Sequence, residues 1–565
     1  MKSLWSDTTA AQYPTPLAQR VYTSRLLGQE PSLVLHGGGN TSVKDTVDNF
    51  FGQSEELLYV KGSGWDLATI EAAGFAPVKM DTLMKMAALD DLSDGDMVKY
   101  QRSAMTDPSA PNPSVEAILH ALIPFKFVDH THTDSVVTLT NTPGGEATIR
   151  QLYGDKVFII PYVMPGFALA KLVYQMTKDI HWDELEGMVL LNHGLFTFAD
   201  NAKDAYEKTI ELVTKAEDYI VMHNAKVTVK AQQNEALSSD ELLTLATIRN
   251  KVSQVKGMPT IANLNTSDIA TMYAKHVNLH SIATRGPLTP DHVIRTKRIP
   301  AIIDDTAAID AAIDGYVSQY NDYFAEHKTA EICLNPAPNF AIWQNKGSIS
   351  FGKSIKETLV TQDITEHTFA AILTAEQLDA YQALPSKDIF DVEYWSLEQA
   401  KLKKGAVAAA PLVGQIVLVT EACSEVGSNT IAGLLKQGAC VVAVDSKDEV
   451  TTQYNKADCK GIKADDSNML GAVELAVRSF GGLDIIIDAA NSSALDAHAA
   501  PYLAVGLNAS VISISEGALS MAHSVRANQI HYRANATATD ISNMAVTMAG
   551  ATFYNVNNAT IVIGE

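Results

Sequence analysis

Three histidines at two places in the chain have the types and spacing of a metal site. His130 and His132 are separated by one residue within an apolar stretch. Side chains alternate along a strand, so both imidazoles are expected on one face, close enough to share a cation. His193 ends a second apolar run, at residues 188–192, and can supply a third nitrogen. Three protein ligands with one open position are typical of catalytic zinc, whereas structural zinc sites are closed by four ligands.

The residues on both sides of the histidine pair favour β-structure. Residues 125–128 and 135–140 are rich in β-branched and aromatic side chains, and we therefore predict strands before and after the pair. The alternative interpretation is that these histidines are ordinary core or surface residues, which is the usual case for a lone histidine. The pair together with a third histidine at a strand end favours the metal site.

A carboxylate lies shortly before the histidine pair. Glu116 and His120 are four residues apart, so they share one face of a helix predicted over residues 115–122, after a turn that contains Ser114. A carboxylate beside a metal ion can act as a general acid or base. The alternative, a solvated helix glutamate, is the more usual case for an isolated Glu, but it is weakened by the nearby histidines.

Two glycine-bearing loops follow predicted strands, at residues 35–42 and 59–64. The backbone amides of such turns can hold phosphate oxygens. Neighbouring side chains add further donors, namely those of Asn40, Thr41, Ser63 and Ser114. Because most glycine-rich turns are only turns, the loops alone indicate little.

Composition restricts the classes of partner. The chain has 565 residues and a net charge of −22, with 46% hydrophobic and 19% charged residues. The length suggests roughly two to four globular domains. Nucleic acid is not expected as a partner, because phosphate-backbone binding needs clustered Lys and Arg. An anionic substrate would have to be held by a local site against the overall negative field.

The cysteines and the N-terminal residues bear on the cellular compartment. None of the four cysteines forms a Cys-x-x-Cys pair, so neither a disulfide framework nor a cysteine zinc site is indicated. The first residues lack the apolar core of a signal peptide, and no apolar run reaches the ~18 residues that span a bilayer. We therefore predict a cytoplasmic protein without membrane contact.

One break in composition divides the chain. Residues 403–411 pass from a charged helix end through glycine to small residues and proline, which indicates a linker. The predicted domains are residues 1–235, a middle α/β region at 236–402, and a C-terminal domain at 412–565. Helical periodicity is clear at residues 202–222.

The middle region shows weak sequence similarity to the first region. Residues 291–294 resemble 129–132, and residues 346–352 resemble 193–198. A long helix is predicted after 193–198 and another after 346–352. We interpret this as an internal duplication whose second half is a degenerate copy of the first. That copy would lack a metal site, because Ile294 and Lys346 replace two ligands. The alternative is a chance match, since strand–glycine–strand–helix is a common pattern.

Five ordered motifs resemble the class II aldolase/adducin family. The resemblance covers about residues 15–230, and its motifs lie at residues 38–42, 61–64, 114–116, 130–132 and 192–194. It implies an α/β/α fold around a largely antiparallel sheet. It also implies Zn²⁺ or another divalent metal held by His130, His132 and His193, with Glu116 as the acid/base.

The same resemblance implies where a substrate is held. It places substrate or phosphate contacts at five positions, Gly39, Asn40, Ser63, Gly64 and Ser114. Many family members have a second hydroxyl residue before the glutamate, where this chain has Val115. One possible phosphate donor is therefore missing.

Segments later in the chain resemble a narrower group, the bifunctional rhamnulose-1-phosphate aldolase/short-chain dehydrogenase proteins. They lie at residues 285–297 and 390–395, and their charged residues, among them Arg285, Arg295 and Lys297, are interpreted as ion-pair partners. The implied reaction is cleavage of a ketose, as its 1-phosphate, into a three-carbon ketone fragment and an aldehyde through a metal-stabilised enediolate. The expected partner is a small sugar or sugar phosphate, and a homo-oligomer is expected.

Residues 412–565 resemble a short-chain dehydrogenase, a Rossmann-type fold. The family expects Thr-Gly-x-x-x-Gly-x-Gly after the first strand; here Glu421 and Glu425 replace two glycines and only Gly427 remains. Those glycines permit the tight turn and the approach of the pyrophosphate. Asp445 stands where a ribose-binding acid is expected.

Other parts of the dehydrogenase signature are missing. Residues 488–491 read Asp-Ala-Ala-Asn instead of Asn-Asn-Ala-Gly, and the strand at 511–515 follows too soon for the usual long helix pair. The Tyr-x-x-x-Lys proton donor is absent, since Tyr532 is followed by Ala536. We predict a scaffold without catalysis, and NAD is not expected as a cofactor.

The sequence leaves three other functions open. The first is a working bifunctional aldolase/NAD-dependent dehydrogenase. The second is an epimerase or decarboxylase on the same metal scaffold. The third is a non-catalytic interaction protein, which would be expected to have lost the metal ligands that this chain retains.

Overall fold

A computed structural model describes residues 1–229, 236–403, 410–490, 492–516 and 525–564. The chain forms two compact units. The first consists of Met1–Thr228, Ser281–Ile294 and Ile364–Lys404, and the second of Val229–His280, Arg295–Asp363 and Gly405–Glu565. Among the described residues, no helix is long and apolar enough to cross a membrane.

A seven-stranded sheet forms the centre of the first unit. Its strands are β1 (Asn40–Asp48), β2 (Ser54–Lys61), β3 (Phe75–Lys79), β4 (Phe127–Thr131), β5 (Val157–Ile160), β6 (Gly187–Leu190) and β7 (Gly194–Ala199). They lie in the order β3-β2-β1-β4-β7-β6-β5. All neighbours are antiparallel except β5 and β6. The largely antiparallel sheet that the family resemblance implies is confirmed.

Helices cover both faces of this sheet. Those of the N-terminal part are α1 (Asp7–Ala10), α2 (Pro16–Gly28), α3 (Met80–Ala88), α4 (Asp94–Ser103), α5 (Ala117–Leu122), α6 (Asp134–Thr140), α7 (Gly145–Tyr153), α8 (Phe167–Met176) and α9 (Ala202–Met222). On β7, Phe196 joins the apolar cluster with α3, α5 and α8, whereas Leu195 joins the cluster with α2, α6 and α9. This alternation buries both faces and gives the α/β/α layers.

Two local predictions need correction. Residues 135–140 were expected as a strand, but they form α6 and are all buried. Packing has overridden the β-preference of this run, because α6 lies in the same apolar cluster as α2 and α9. The helix expected from residue 115 begins at Ala117, so Glu116 is its N-cap residue. By contrast, α9 spans the residues 202–222 predicted from periodicity.

The middle of the chain contains a four-stranded sheet. Its strands are β8 (Ile261–Asn265), β9 (Ala301–Ile303), β10 (Phe340–Trp343) and β11 (Gly347–Gly352), in the order β8-β11-β10-β9. The helices of this stretch are α10 (Ser239–Lys256), α11 (Asp268–Ala274), α12 (Leu279–Ala283), α13 (Val293–Thr296), α14 (Ile309–His327), α15 (Ile355–Leu378), α16 (Ser386–Glu393) and α17 (Ser396–Lys403).

This sheet repeats the pairing of β4-β7-β6-β5. In both half-sheets the first two neighbouring pairs are antiparallel and the last is parallel. Matching Gly194 to Gly347 places Leu264, Thr266 and Lys346 at the positions of His130, His132 and His193. The proposed match of residues 291–294 to the histidine strand is wrong, because those residues form a 3₁₀ turn and the start of α13. Thr266, not Ile294, stands at the second position.

The C-terminal region has a parallel sheet of Rossmann type. Its strands are β12 (Ile416–Val419), β13 (Cys440–Asp445), β14 (Cys459–Lys463), β15 (Ile485–Asp488), β16 (Ser510–Glu516), β17 (Arg526–Tyr532) and β18 (Thr560–Ile563). The order is β14-β13-β12-β15-β16-β17-β18, with every pair parallel. The helices are α18 (Glu425–Lys436), α19 (Val450–Gln453), α20 (Met469–Phe480), α21 (Ser493–Ala504) and α22 (Ala538–Ala549). This order is doubly wound, so the α/β class with a Rossmann-like part is confirmed.

The gaps in the dehydrogenase signature have structural counterparts. A single twelve-residue helix, α21, joins β15 to β16. Tyr532 is the last residue of β17, so it does not share a helical face with Ala536. Residues 404–409 of the predicted linker and Asn491 lie outside the described residues, and the predicted domain boundaries remain predictions.

Candidate metal centre

Three imidazoles lie together at one end of the first unit's sheet. His130 is on β4, His132 follows the last residue of that strand, and His193 occupies the turn between β6 and β7. One ring nitrogen from each lies within 4.8 Å of the others. The Nε2 atoms of His130 and His132 are 3.1 Å apart. Because β4, β7 and β6 are neighbours, the strand ends bring the pair and the third histidine to one point.

The strands also orient the rings. The His130 ring stacks on Phe196 with centroids 4.1 Å apart, and its Nδ1 lies 3.2 Å from the carbonyl oxygen of Leu195. Its Nε2 therefore faces the other two histidines. Burial lowers the pKa of His130 well below its ordinary value and also lowers the pKa of His193. Neutral imidazole is the form that ligates a metal, so this donor set fits a divalent cation.

Glu116 lies beside the histidine cluster. Its Oε2 is 3.6 Å from Nε2 of His130, and its Oε1 is 3.8 Å from Nε2 of His193. Burial alone would raise the pKa of Glu116, but positive charge at His130 and His193 and the hydrogen bond from the amide of Asn40 lower it to about 2. The side chain is therefore an ionised carboxylate. Its Oε1 has no hydrogen-bond partner among the described residues, which leaves that oxygen available to a substrate proton.

A chain of hydrogen bonds holds Glu116 in place. The Nδ2 of Asn40 donates to Oε2 of Glu116, and the Oδ1 of Asn40 pairs with Nε2 of His120. The Nδ1 of His120 lies 2.8 Å from the hydroxyl of Ser42. Burial lowers the pKa of His120 to about 3, so the ring is neutral and carries one N–H. Nε2 must donate to Asn40, and Nδ1 therefore accepts from Ser42, so the donors run in one direction toward the carboxylate.

The predicted contact Asn40 therefore lies within the Glu116 network. Its side chain is buried, and both ends of its amide are engaged. The sequence suggested an open anion-binding loop here, but the fold uses this amide to fix the carboxylate. Glu116 and His120, which were predicted to share a helix face, are connected by hydrogen bonds through the amide of Asn40.

Gly39 brings the first glycine loop against the histidine strand. It is buried and has a φ of +58°, and a Cβ on it would lie 2.6 Å from the carbonyl oxygen of His130. Only glycine fits such a left-handed, close position. The Nζ of Lys61 donates to the carbonyl oxygens of Gly37 and Gly39 at 2.8 and 3.1 Å, which fixes the loop.

Ser63, Gly64 and Ser114 lie on adjoining loops. The amide of Ser63 donates to Asn112, and the amide of Ser114 donates to the carbonyl oxygen of Lys61. The Ser114 hydroxyl accepts from the amide of Glu116 at 3.3 Å, while Gly64 is exposed. The structure thus brings the second loop next to the turn that precedes Glu116. Val115, which replaces a hydroxyl residue, packs against the apolar core instead.

Sequence reasoning missed three charged residues near the histidines. Asp291 places its Oδ2 3.5 Å from Nδ1 of His132. Glu398 and Lys401, on α17, form an ion pair. Burial would lower the pKa of Lys401, but Glu398 and Asp291 raise it, so the ammonium group stays charged. No local pattern in the sequence connects these residues to the histidines. Asp291 lies in the segment 285–297, for which no catalytic or binding role was predicted.

The predicted dinucleotide residues of the C-terminal region are differently arranged. Gly427 is required, because a Cβ there would lie 2.1 Å from the carbonyl oxygen of Glu421. Glu421 itself has a φ of 52° in the position of the first family glycine. The two carboxylate oxygens of Asp445 accept from the amides of Cys423 and Lys447 at 2.8 and 3.1 Å. The carboxylate of Glu421 occupies the turn where the pyrophosphate of a dinucleotide would approach, and the oxygens of Asp445 already accept bonds from loop amides. This arrangement does not fit a pyrophosphate and ribose.

Comparison with protein families gives two matches. Residues 18–220 match the class II aldolase and adducin N-terminal domain, and residues 239–402 match the second domain of class II aldolases. This chain contains class II aldolase domains. It is an enzyme of the lyase type. The α/β fold with its Rossmann-like part is the architecture that accompanies these domains.

Known proteins resemble different parts of the chain. An uncharacterized oxidoreductase, YuxG, of Bacillus subtilis is 29% identical over 516 residues, covering 86% of this chain and 74% of that protein. The N-terminal class II aldolase domain of a conserved Thermoplasma acidophilum protein is 41% identical, with 39% of this chain and 99% of that chain covered and a TM-score of 0.36. A Brucella melitensis short-chain dehydrogenase/reductase is 14% identical, with 27% and 96% covered and a TM-score of 0.23.

Proposed function

We propose that the protein is a divalent-metal-dependent aldolase that cleaves a ketose, as its 1-phosphate, into a three-carbon ketone fragment and an aldehyde. The observation that carries this proposal is the cluster of three imidazoles with an ionised carboxylate beside it. The class II aldolase domain at residues 18–220 supports it. Zinc is the metal proposed, since three nitrogen ligands with an open position are typical of catalytic zinc.

The chain's own residues divide the work of the reaction. His130, His132 and His193 would hold the cation, which when bound supplies Lewis-acid stabilisation of the negative charge on the ketose oxygens. Glu116 would take or return the proton at the carbon next to the carbonyl, through the Oε1 that no described residue engages. Asn40 helps to keep this carboxylate ionised, and His120 holds Asn40 in the orientation that reaches it.

The substrate's anionic end would be held on the adjoining loops. Ser63 and Ser114 would contribute hydroxyl groups and Gly64 a backbone amide, and Gly39 and Asn40 stand at the matching family positions. With Val115 packed in the core, fewer donors face the phosphate. We propose a small sugar phosphate as substrate and a homo-oligomeric assembly.

One experiment tests the proposal directly. Metal content is measured by elemental analysis on the purified full chain, and a panel of ketose 1-phosphates is screened for release of aldehyde. We expect about one metal per chain and cleavage of at least one ketose. Glu116→Gln should keep the metal while activity falls by roughly 10²–10⁴-fold. A metal-replete protein that leaves every ketose phosphate intact, or that only epimerises or decarboxylates its substrate, would contradict the proposal.

A second candidate is a bifunctional enzyme that also oxidises the aldehyde with NAD. The Rossmann-type sheet and the name of the Bacillus subtilis relative favour it. The carboxylate of Glu421 in the turn and the engaged oxygens of Asp445 count against it. NAD reduction with the aldehyde product present would separate the two candidates.

A further inference from the structure

The segment Ser281–Ile294 belongs to the compact unit that carries the histidines. Three contacts within that unit fix it. Arg285 forms an ion pair with Glu376, the hydroxyl of Tyr381 donates to the carbonyl oxygen of Pro287 at 2.7 Å, and the side chain of Asn141 donates to the carbonyl oxygen of Leu288 at 2.7 Å. A segment tied in this way can present a side chain at a defined position.

Asp291 is the side chain that this segment presents to the histidines. The hydroxyl of Thr289 donates to its Oδ1 at 2.6 Å, which fixes the carboxylate. Its other oxygen, Oδ2, lies 3.5 Å from Nδ1 of His132. That nitrogen is buried and makes no hydrogen bond among the described residues. The opposite nitrogen, Nε2, faces His130, so the carboxylate lies on the outer side of the ring.

The neighbouring histidine is supported in a corresponding way. The outer nitrogen of His130 lies 3.2 Å from the carbonyl oxygen of Leu195, on β7. In metal centres, a ligating histidine generally gives its second N–H to a carboxylate or a carbonyl, which fixes the tautomer and raises the basicity of the ligating nitrogen. Leu195 provides this support for His130, whereas no carbonyl of the described residues accepts a hydrogen bond from Nδ1 of His132.

We propose that Asp291 is a positioning residue for the metal ligand His132, directing its Nε2 toward the shared centre and strengthening its bond to a cation. This inference rests on the proposed function only in requiring that the three histidines bind a metal. The segment at 285–297, to which sequence chemistry gave no role, thereby supports the metal centre.

The test measures metal affinity rather than turnover. The full-length protein is freed of metal, and Zn²⁺ binding is measured by competition with a chromophoric chelator. Asp291→Asn keeps the size of the side chain and an oxygen for Thr289 but removes the charge. We expect a roughly 10- to 100-fold weaker Zn²⁺ affinity and an altered visible spectrum of the Co²⁺-loaded protein. Asp291→Glu, which restores the charge, should recover part of the affinity.

Asp391→Asn is the matched control. Asp391 lies on α16 and pairs with the exposed Lys387, so the same substitution there should leave Zn²⁺ affinity and the Co²⁺ spectrum unchanged. Thermal unfolding of the metal-free proteins shows whether each variant is folded. If Asp291→Asn does not fold, Thr289→Val replaces it, because that variant frees the carboxylate from its anchor and should weaken Zn²⁺ several-fold.

The outcomes separate the two proposals. A folded Asp291→Asn protein with wild-type Zn²⁺ affinity and an unchanged Co²⁺ spectrum overturns the role of Asp291 and leaves the metal centre intact. The same holds for Thr289→Val with unchanged affinity, where it is the variant used. A wild-type protein that binds neither Zn²⁺ nor Co²⁺ overturns the proposed metal-dependent function instead.

Discussion

The half-sheets β4-β7-β6-β5 and β8-β11-β10-β9 share one pattern of strand pairing but differ at three equivalent positions. The first carries His130, His132 and His193, and the second carries Leu264, Thr266 and Lys346. Both keep the same turn between the hairpin strands, since Asn192 and Asn345 have φ values of 59° and 67°. The shared turn is therefore a property of the scaffold, and the proposed metal centre depends on three side chains placed upon it.

A second contrast concerns how polar groups are used. In the histidine cluster, Oε1 of Glu116 is buried without a hydrogen-bond partner among the described residues. In the Rossmann-type region, Asp445 is bonded to two loop amides, and Asp488 accepts from the Thr420 hydroxyl and the Ser492 amide. Buried polar atoms usually find partners, so the unpartnered oxygen of Glu116 beside three imidazoles is consistent with a place for a ligand, whereas the engaged oxygens of Asp445 and Asp488 have a structural role.

The largest effect is expected when the equivalent turn residues of the two hairpins are each replaced by alanine. His193→Ala removes a proposed metal ligand and should lower cleavage by on the order of a thousand-fold or more, since metal stabilisation is worth several kcal/mol. Lys346→Ala should leave metal content and activity unchanged, because the ammonium group of Lys346 pairs with Glu241. Elemental analysis and a cleavage assay check both. Equal metal content in the two variants would show that the two hairpins do not differ in metal binding.

An intermediate effect is expected from Asn40→Ala. Its amide helps to lower the pKa of Glu116, so its loss should raise that pKa and move the acid limb of the kcat/KM profile to higher pH. The rate at neutral pH should fall roughly 10- to 100-fold, by analogy with other residues that position catalytic groups, with metal content kept. The control is Asn263→Ala on β8, whose amide bonds to Gln362. An unshifted acid limb would show that Asn40 does not tune Glu116.

The smallest effect is expected from adding NAD to the full-length protein. With the carboxylate of Glu421 in the turn, millimolar NAD should stabilise the fold by less than about 0.1 kcal/mol, so the thermal unfolding midpoint should not move measurably. A double variant, Glu421→Gly with Glu425→Gly, shows whether these carboxylates are the obstacle. A clear NAD-dependent rise in the wild-type midpoint would favour the bifunctional enzyme.

The sequence predicted the parts of the fold that local patterns determine. Helix α9 and strands β12 and β13 follow from periodicity and apolar runs. Residues 135–140 were predicted wrongly, because β-branched residues favour strands locally while burial against α2 and α9 decides for a helix. Local preference fails where packing partners are distant in the chain.

The candidate site shows the same limit. The His-x-His spacing indicates a shared face, so His130 and His132 could be paired from sequence alone, and the structure brings His193 to them. Asp291 and Lys401 could not be found, because no periodic pattern places a side chain across long sequence separations. The use of Asn40 as a partner of Glu116 and His120 likewise depends on the pairing of β1 with β4.

The discontinuity of the first compact unit has a consequence for its biosynthesis. Its chain is interrupted after Thr228 and is completed only at Lys404. A ribosome adding roughly 5–20 residues per second would need on the order of ten seconds or more to span that interval. Asp291 would be made partway through this interval and the final helices only at its end, so the nascent histidine sheet would be incomplete until then. Early cation capture in the cell would then occur on an incomplete protein, and chaperone contact would be most useful in that window.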